Sequence, residues 1–363
     1  MNWLRWRKKR RPSPRSTALT VAAPVVLLAL LSGTAPEWGL SLLGFGAPAR
    51  PSLVEYRSPA QDVPRRRAVE LPVPAVDSDE AVLGRPLALA FDADRLYIAD
   101  ALDCAVKIFS KDGRFIRSFG EKGQGPGQLS FPSGVCVAGD AVAVADKLNL
   151  RIQLFDVRGG ARGGFKLGFA PDRVIFIGEG RLAVTANPTG RKSGERLVRV
   201  FDLDGTPVWS GVEAKTTSDA VSDAFRNMIL ICPAETSGFY LIFRSGDRSI
   251  RRYAASGALA GAVPVDGRLV SKSVTVPTAR GPLELAGFCW AAAADGGFLY
   301  LSAPELLDGR DLGPGRSIFV LDAEGRPRSI IDLPCPVHRF AVAGGRLFAI
   351  DEEGGLRIFE VGR

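Results

Sequence analysis

Few side chains in these 363 residues could do covalent chemistry. His338 is the only histidine, so a zinc centre built on imidazole lacks its donors. A Ser-His-Asp relay would also have to run through His338, and no Gly-x-Ser-x-Gly elbow accompanies it. The five cysteines, Cys104, Cys136, Cys232, Cys289 and Cys335, contain no C-x-x-C pair, and no activating partner for a thiol is visible. The Gly-rich run 120–127 lacks the Lys-[Ser/Thr] ending and the following helix of a phosphate loop. The residues better suited to binding are Arg173, Arg226, Asn227, His338 and Arg339. Guanidinium groups capture carboxylate or phosphate through paired N–H donors. Asp100, Asp146 and Asp351 recur after similar apolar runs, where they could pair with these arginines or fix the next turn. No cofactor and no metal are expected.

These residues sit in a repeated unit. An apolar stretch ending in an aromatic residue or Leu is followed, four positions on, by Gly. The copies are 106–109 with Gly113, 152–155 with Gly159, 198–201 with Gly205, 250–253 with Gly257 and 318–321 with Gly325. A sixth, 356–359, runs into the C-terminus, and the spacings are 46, 46, 52, 68 and 38 residues. The fixed Gly supplies the positive φ of a tight hairpin. Two further short strands precede each copy, such as 87–91 and 96–99 in the first. Four short strands per repeat, with turn signals between them, predict a β-propeller. The sixth unit lacks a fourth strand, and the stretch 67–73 alternates like a strand without a hairpin partner of its own. It is expected to complete blade six and close the ring.

Aligning the first strands on Pro86, Pro132 and Pro171 sets Arg173, Arg226, Asn227, His338 and Arg339 near the channel mouth. The longest connections, 120–130, 187–197, 211–224, 264–285 and 303–316, all fall on the face where that mouth opens. Trp209 and Trp290 are expected to be buried in strands, which leaves carbohydrate binding without its exposed aromatics.

The second unit, 123–129 (Gly-Gln-Gly-Pro-Gly-Gln-Leu), 131–135 and 144–155, resembles the NHL-repeat family of six-bladed propellers, and the first matches at 96–100 and 106–109. The resemblance implies a rigid closed scaffold used by binding modules, structural modules and a minority of enzymes. Some of those enzymes hold calcium in the channel, where this chain carries Arg173 and Arg339, which would repel it.

Composition is that of an ordinary globular protein, 46% hydrophobic and 24% charged, which excludes a collagen-like or mostly disordered chain. The formal charge of +8 is localised: residues 1–67 hold 12 of the 47 Lys and Arg but 3 of the 39 acids, leaving 35 basic and 36 acidic residues beyond. The large domain is thus near neutral, and nucleic acid is not an expected partner. Residues 16–36 carry no charge and follow the basic run 7–11, the pattern of a membrane anchor or signal segment whose basic side stays cytoplasmic.

The expected organisation is therefore 1–36 as basic n-region and anchor or signal, 37–65 as a Pro/Arg-rich linker, and 66–363 as the propeller. The fold class is all-β, with an N-terminal transmembrane or signal helix ahead of it. The expected location is a bacterial cell membrane, single-pass, with the N-terminus cytoplasmic and the propeller on the periplasmic or extracellular side. The expected function is a membrane-tethered exported module that binds or assembles with a protein partner, within a membrane complex, through its long-loop face. The alternative is a lyase or hydrolase acting on an anionic small molecule at the channel mouth.

Overall fold

A computed structural model describes residues 63–362 apart from 77, 187–193, 218–219, 266–271, 279–280 and 308–310. The expected anchor and most of the linker lie outside the described residues. Among the described residues no helix is long and apolar enough to cross a membrane.

Six antiparallel sheets follow one another along the chain. Blade one is Pro86–Phe91, Arg95–Asp100, Ala105–Ser110 and Phe115–Phe119. Blade two is Pro132–Ala138, Ala141–Asp146, Arg151–Asp156 and Ala161–Lys166. Blade three is Pro171–Phe176, Arg181–Ala186, Arg196–Asp202 and Pro207–Glu213. Blade four is Ile229–Pro233, Phe239–Phe243, Ser249–Tyr253 and Leu259–Pro264. Blade five is Ala291–Asp295, Phe298–Leu307, Asp311–Leu321 and Pro327–Asp332. Blade six contributes Val337–Ala343, Arg346–Asp351 and Leu356–Glu360.

The six-fold arrangement follows from period-two alternation in strands buried on both faces. In blade one, Tyr97 and Ala99 pack with Val135 and Val144 of blade two, while Leu96 and Ile98 pack with Phe348 and Ile350 of blade six. Clusters of the same kind fill the junctions two–three, three–four, four–five and five–six. Each blade is thus wedged between two apolar seams, and exposure among the described strand residues is concentrated at the outermost position. There the pattern turns polar, as in Ala161–Lys166, where all but Phe165 are exposed.

The hairpin glycines do more than turn the chain. Gly113, Gly159, Gly205, Gly257 and Gly325 all have φ between +74° and +91°. A Cβ on Gly159 would lie 2.5 Å from Phe119 Cβ, on the fourth strand of the preceding blade. Gly205 meets Phe165 at the same distance, and Gly257 and Gly325 meet Trp209 and Val263, each again on the preceding blade's fourth strand. Gly113 meets Val73, two residues past the strand Val69–Leu71. That strand pairs antiparallel with Leu356–Glu360, with Glu70 opposite Phe359. Just before it, Arg65–Arg67 runs parallel to Pro327–Asp332 on the outer edge of blade five. The arginine triplet is therefore a sheet edge. Arg65 grips Asp332 with two bonds, Nη2 to Oδ1 at 2.6 Å and Nε to Oδ2 at 3.0 Å.

Three stretches expected as long loops are ordered additions on one face. Ala220–Arg226 forms a helix (α1) ahead of blade four. Lys272–Thr278 and Gly281–Gly287 form a hairpin ahead of blade five. The second and third strands of blade five run on past the sheet as a ribbon pairing Pro304–Leu307 with Pro314–Asp311. The hairpin lies beside both α1 and the ribbon, so the three make one continuous platform.

Candidate functional site

The mouth of the channel is built from the start of the first strands and the residues just past the second. One rung in from the start, Ala88 faces Ala99, Gly134 faces Ala145 and Arg339 faces Ile350. Arg173 occupies the same rung, its backbone N–H donating to Thr185 Oγ1 at 3.0 Å. The register in blades four and five differs from the alignment made on sequence. There the rung holds Leu230 and Ala291, opposite Ile242 and Ser302.

Arg173 and Arg339 therefore share the mouth, with His338 one residue before Arg339, whereas Arg226 and Asn227 belong to the end of α1. Arg226 is exposed. Asn227 is buried and committed: its Oδ1 accepts from the Lys215 N–H at 2.8 Å and its Nδ2 donates to the Lys215 carbonyl at 2.7 Å. The sequence alignment slid because blade four starts at Ile229, three residues after the helix ends, instead of at a proline.

Small residues in blade two leave Arg173 a path to blade one. Gly134 lets the two first strands approach closely, since a Cβ there would stand 3.1 Å from Arg173 Cα. Ser133 turns its hydroxyl to the Pro171 carbonyl at 3.0 Å. Past these, Arg173 Nη1 donates to the Leu87 carbonyl of blade one at 2.8 Å.

Asp172 accepts from Lys147 Nζ at 3.2 Å and lies 4.0 Å from Arg173 Nε. Burial pushes its carboxyl up, but the charges of Lys147, Arg173 and Arg339 outweigh this and hold it below the usual range.

A residue missed in the sequence completes the cluster. Arg244 follows the second strand of blade four, the position that Lys147 holds in blade two. Their N–H groups donate to the residue before the first strand, Met228 and Phe131 respectively. The Arg244 carbonyl accepts from Phe288 and Cys289, which fixes its backbone, and its guanidinium lies over the Trp290 ring at 4.4 Å. Trp290 stands just ahead of its strand, half-buried, with its ring 6.1 Å from His338. The signal was available: the run Phe239–Phe243 aligns with Leu96–Asp100 through their third-strand partners, leaving Arg244 next in line.

Electrostatics bind these groups into one unit. Arg339 is held well below its ordinary value by burial and by the charges of Arg173, Arg244 and Arg85. Burial brings Arg244 down to about 10, and Arg173 adds to the effect. His338 is lowered to about 4 by burial, then by Arg339 and Arg244, so it is neutral at pH 7.

The recurrent Asp residues are used locally instead. Asp100 accepts from the Gly84 and Arg85 N–H groups at 2.7 and 2.8 Å, and Asp146 from Ser130 N–H at 2.7 Å and Arg151 Nε at 2.8 Å. Asp351 accepts from Gly355 N–H at 2.7 Å and Arg357 Nε at 2.8 Å. Lys107, almost fully buried, bonds Asp103 and the Val82 carbonyl.

Nucleophilic chemistry finds little support. Cys136 and Cys289 are pushed far up by burial and Cys232 to about 12, so none offers a thiolate at neutral pH. Among the described residues no group of three or more His, Cys, Asp or Glu could hold a metal ion.

The sheets and their seams define a six-bladed β-propeller with a cationic channel mouth. A family profile described as a six-bladed β-propeller matches residues 74–167, which covers blades one and two. No curated protein matches. The crystal structure of a Bacteroides fragilis protein described as exported is similar in fold: TM-score 0.54, 12% identity, 81% of this chain and 94% of that one. Hydrazine synthase of Kuenenia stuttgartiensis (TM-score 0.49, 13% identity, 78% and 97% covered) and virginiamycin B lyase of Staphylococcus aureus (0.47, 12%, 81% and 99%) resemble it more distantly.

Proposed function

We propose that this chain is a membrane-tethered, exported propeller of the NHL-repeat type that binds or assembles with a protein partner through its long-loop face. The observation that carries this reading is the platform made by α1, the hairpin Lys272–Thr278 and Gly281–Gly287, and the blade-five ribbon. Additions that order themselves against one another on one side of a rigid ring build a contact surface no single blade would need. The uncharged run 16–36 behind five basic residues supports the tether, and a fold relative described as exported accords with it. The repeat signature at 123–155 supports the NHL assignment.

The proposal includes ring closure by the N-terminal side, which supplies the outermost strand of blade six. Its support is the pairing of Val69–Leu71 with Leu356–Glu360 and the fit of Gly113 against Val73, which repeats the blade-to-blade contact seen at the other four glycines.

Fractionation should find the full chain in the membrane with the propeller open to external protease. After detergent extraction it should elute with a partner in fixed ratio, and replacing the ribbon 303–316 with a short turn should release that partner. A solitary monomer in gentle detergent would overturn the assembly reading, and a soluble chain the tether.

A further inference from the structure

The fourth strands of blades one, two, three and five each carry charge: Arg117, then Arg162 and Lys166, then Glu213, then Arg328 and Asp332. The fourth strand of blade four does not. Leu259–Pro264 reads Leu-Ala-Gly-Ala-Val-Pro, and the whole stretch 253–265 is uncharged. Leu259 is 57% exposed, Ala260, Gly261 and Ala262 are exposed beside it, and the described sheet of blade four ends at this strand. A sheet edge is ordinarily blunted by charge or covered, because its free N–H and C=O groups recruit an extended chain.

The neighbouring blade shows how this molecule covers such an edge. On blade five, Arg65–Arg67 lies parallel to the outer strand with Arg66 opposite Ile331. The Ile330 N–H donates to the Pro64 carbonyl at 2.8 Å. One residue further upstream, Val63 is buried in the four–five seam, in the same apolar cluster as Ile330 and Val265, and Val265 directly follows the uncharged strand. The chain ahead of Val63 is thus delivered towards blade four. A Cβ on Gly325 would lie 2.8 Å from Val263 Cγ1, so the end of blade four's outer strand meets the turn just before blade five's, and the two follow head to tail. Gly325 stands five residues before Ile330, about 17 Å of strand, and the six residues 58–63 reach about 20 Å when extended.

We infer that the free edge of Leu259–Pro264 is a docking site for residues 52–58 of this same chain, added as a parallel outermost strand of blade four. That segment, Ser-Leu-Val-Glu-Tyr-Arg-Ser, lies outside the described residues, and its sequence suits the edge. Val54 and Tyr56 are strand formers that share one side of an extended chain, with Leu53, Glu55 and Arg57 on the other. Gly261 has open space where a side chain would stand, and a tyrosine ring from a paired strand covers such a gap. Glu55 and Arg57 give the finished sheet the charged border that blade four otherwise lacks. Parallel pairing follows from the head-to-tail order, since a chain that keeps the direction of Arg65–Arg67 runs the same way as both outer strands. The inference rests on neither the tether nor the partner proposed above.

The test is hydrogen exchange on the purified, detergent-extracted full chain. Alternate amides of Leu259–Val263, those turned away from the third strand, should exchange at least tenfold more slowly than in Tyr56→Pro, whose proline cannot pair there. Ser41→Pro, further up the chain, should leave them as slow as in the unaltered protein. Amides of Ala105–Ser110 in blade one should be equally protected in all three, which shows the ring intact. A second measurement combines Tyr56→Cys with Gly261→Cys in a Cys335→Ser background and treats the chain with a bis-maleimide. A bridge within one chain is expected, whereas Tyr56→Cys with Arg162→Cys, on the edge of blade two, should give none.

Fast exchange of those amides in the unaltered chain overturns the inference, because the edge is then bare. Protection that survives Tyr56→Pro overturns it too, because something else then covers the strand. A bridge between two chains instead of within one also counts against it and assigns the edge to a second copy. Partner release on shortening the ribbon is a separate readout, so either idea can fail alone.

Discussion

His338 is neutral in the fold because burial, and then the charges of Arg339 and Arg244, disfavour its proton. Its pKa falls from 6.5 to about 4. Below pH 6.5 the unfolded chain takes up a proton that the folded chain refuses, so stability declines as pH drops from 6.5 towards 4. The loss is on the order of 3 kcal/mol. Asp172 acts in the same direction: its carboxyl is depressed in the fold, so its contribution is present above its unfolded value and is lost as pH falls through the folded one. Denaturant melts at pH 7, 6, 5 and 4 should show the decline, and His338→Gln should flatten the portion between 6.5 and 4. A second residue-scale expectation concerns Gly159. Alanine there meets both a φ of +85° and the Phe119 side chain, and should cost about 2 kcal/mol. A lowered melting temperature without change in secondary structure would show it.

Among the elements, the blades were legible and their additions were not. Proline at 86, 132 and 171 marks the first strand of blades one to three, and the Gly of each outer hairpin marks the third and fourth. In blade four neither cue stands at the start. Asn227 was placed at the mouth for want of one, although 220–226 carries the Ala, Val and Phe of a short helix. In the stretch 264–285 a period-two pattern, Val274-Thr275-Val276, was present, but nothing local says that a hairpin rather than a loop will hold it. Arg244 escaped because its role depends on register counted through the third strand, and register is a property of the pair.

The N-terminal strand offers the element-scale prediction. Val73→Asp places a charge against Gly113 and Ile358. If Val69–Leu71 is blade six's outer strand, amide exchange should accelerate along Leu356–Glu360 and melting should fall by several degrees, while Val76→Asp, exposed, should do neither.

The whole molecule separates two features by place. Its seams are dry and closely packed, so the ring is a stiff frame. The platform grows on one side of blades three to five, while the cationic mouth lies at the centre of that same face, fed by blades two, three, four and six. Replacing the ribbon with a short turn should therefore leave the ring folded, with amide protection kept along the second and third strands of blades one and two. Hydrogen exchange on that variant checks this independence.

The outermost pairing of the last blade joins residues at opposite ends of the folded domain, and Arg357 Nη1 reaches Glu70 Oε1 at 3.1 Å across 287 positions of sequence. Time is the consequence. During synthesis Val69–Leu71 must wait, unzipped, for Leu356–Glu360 to arrive. Such distant zippering slows maturation and leaves a sticky ribbon uncovered meanwhile. Truncating even the final eight residues should therefore strand the product as an aggregate, not a looser monomer.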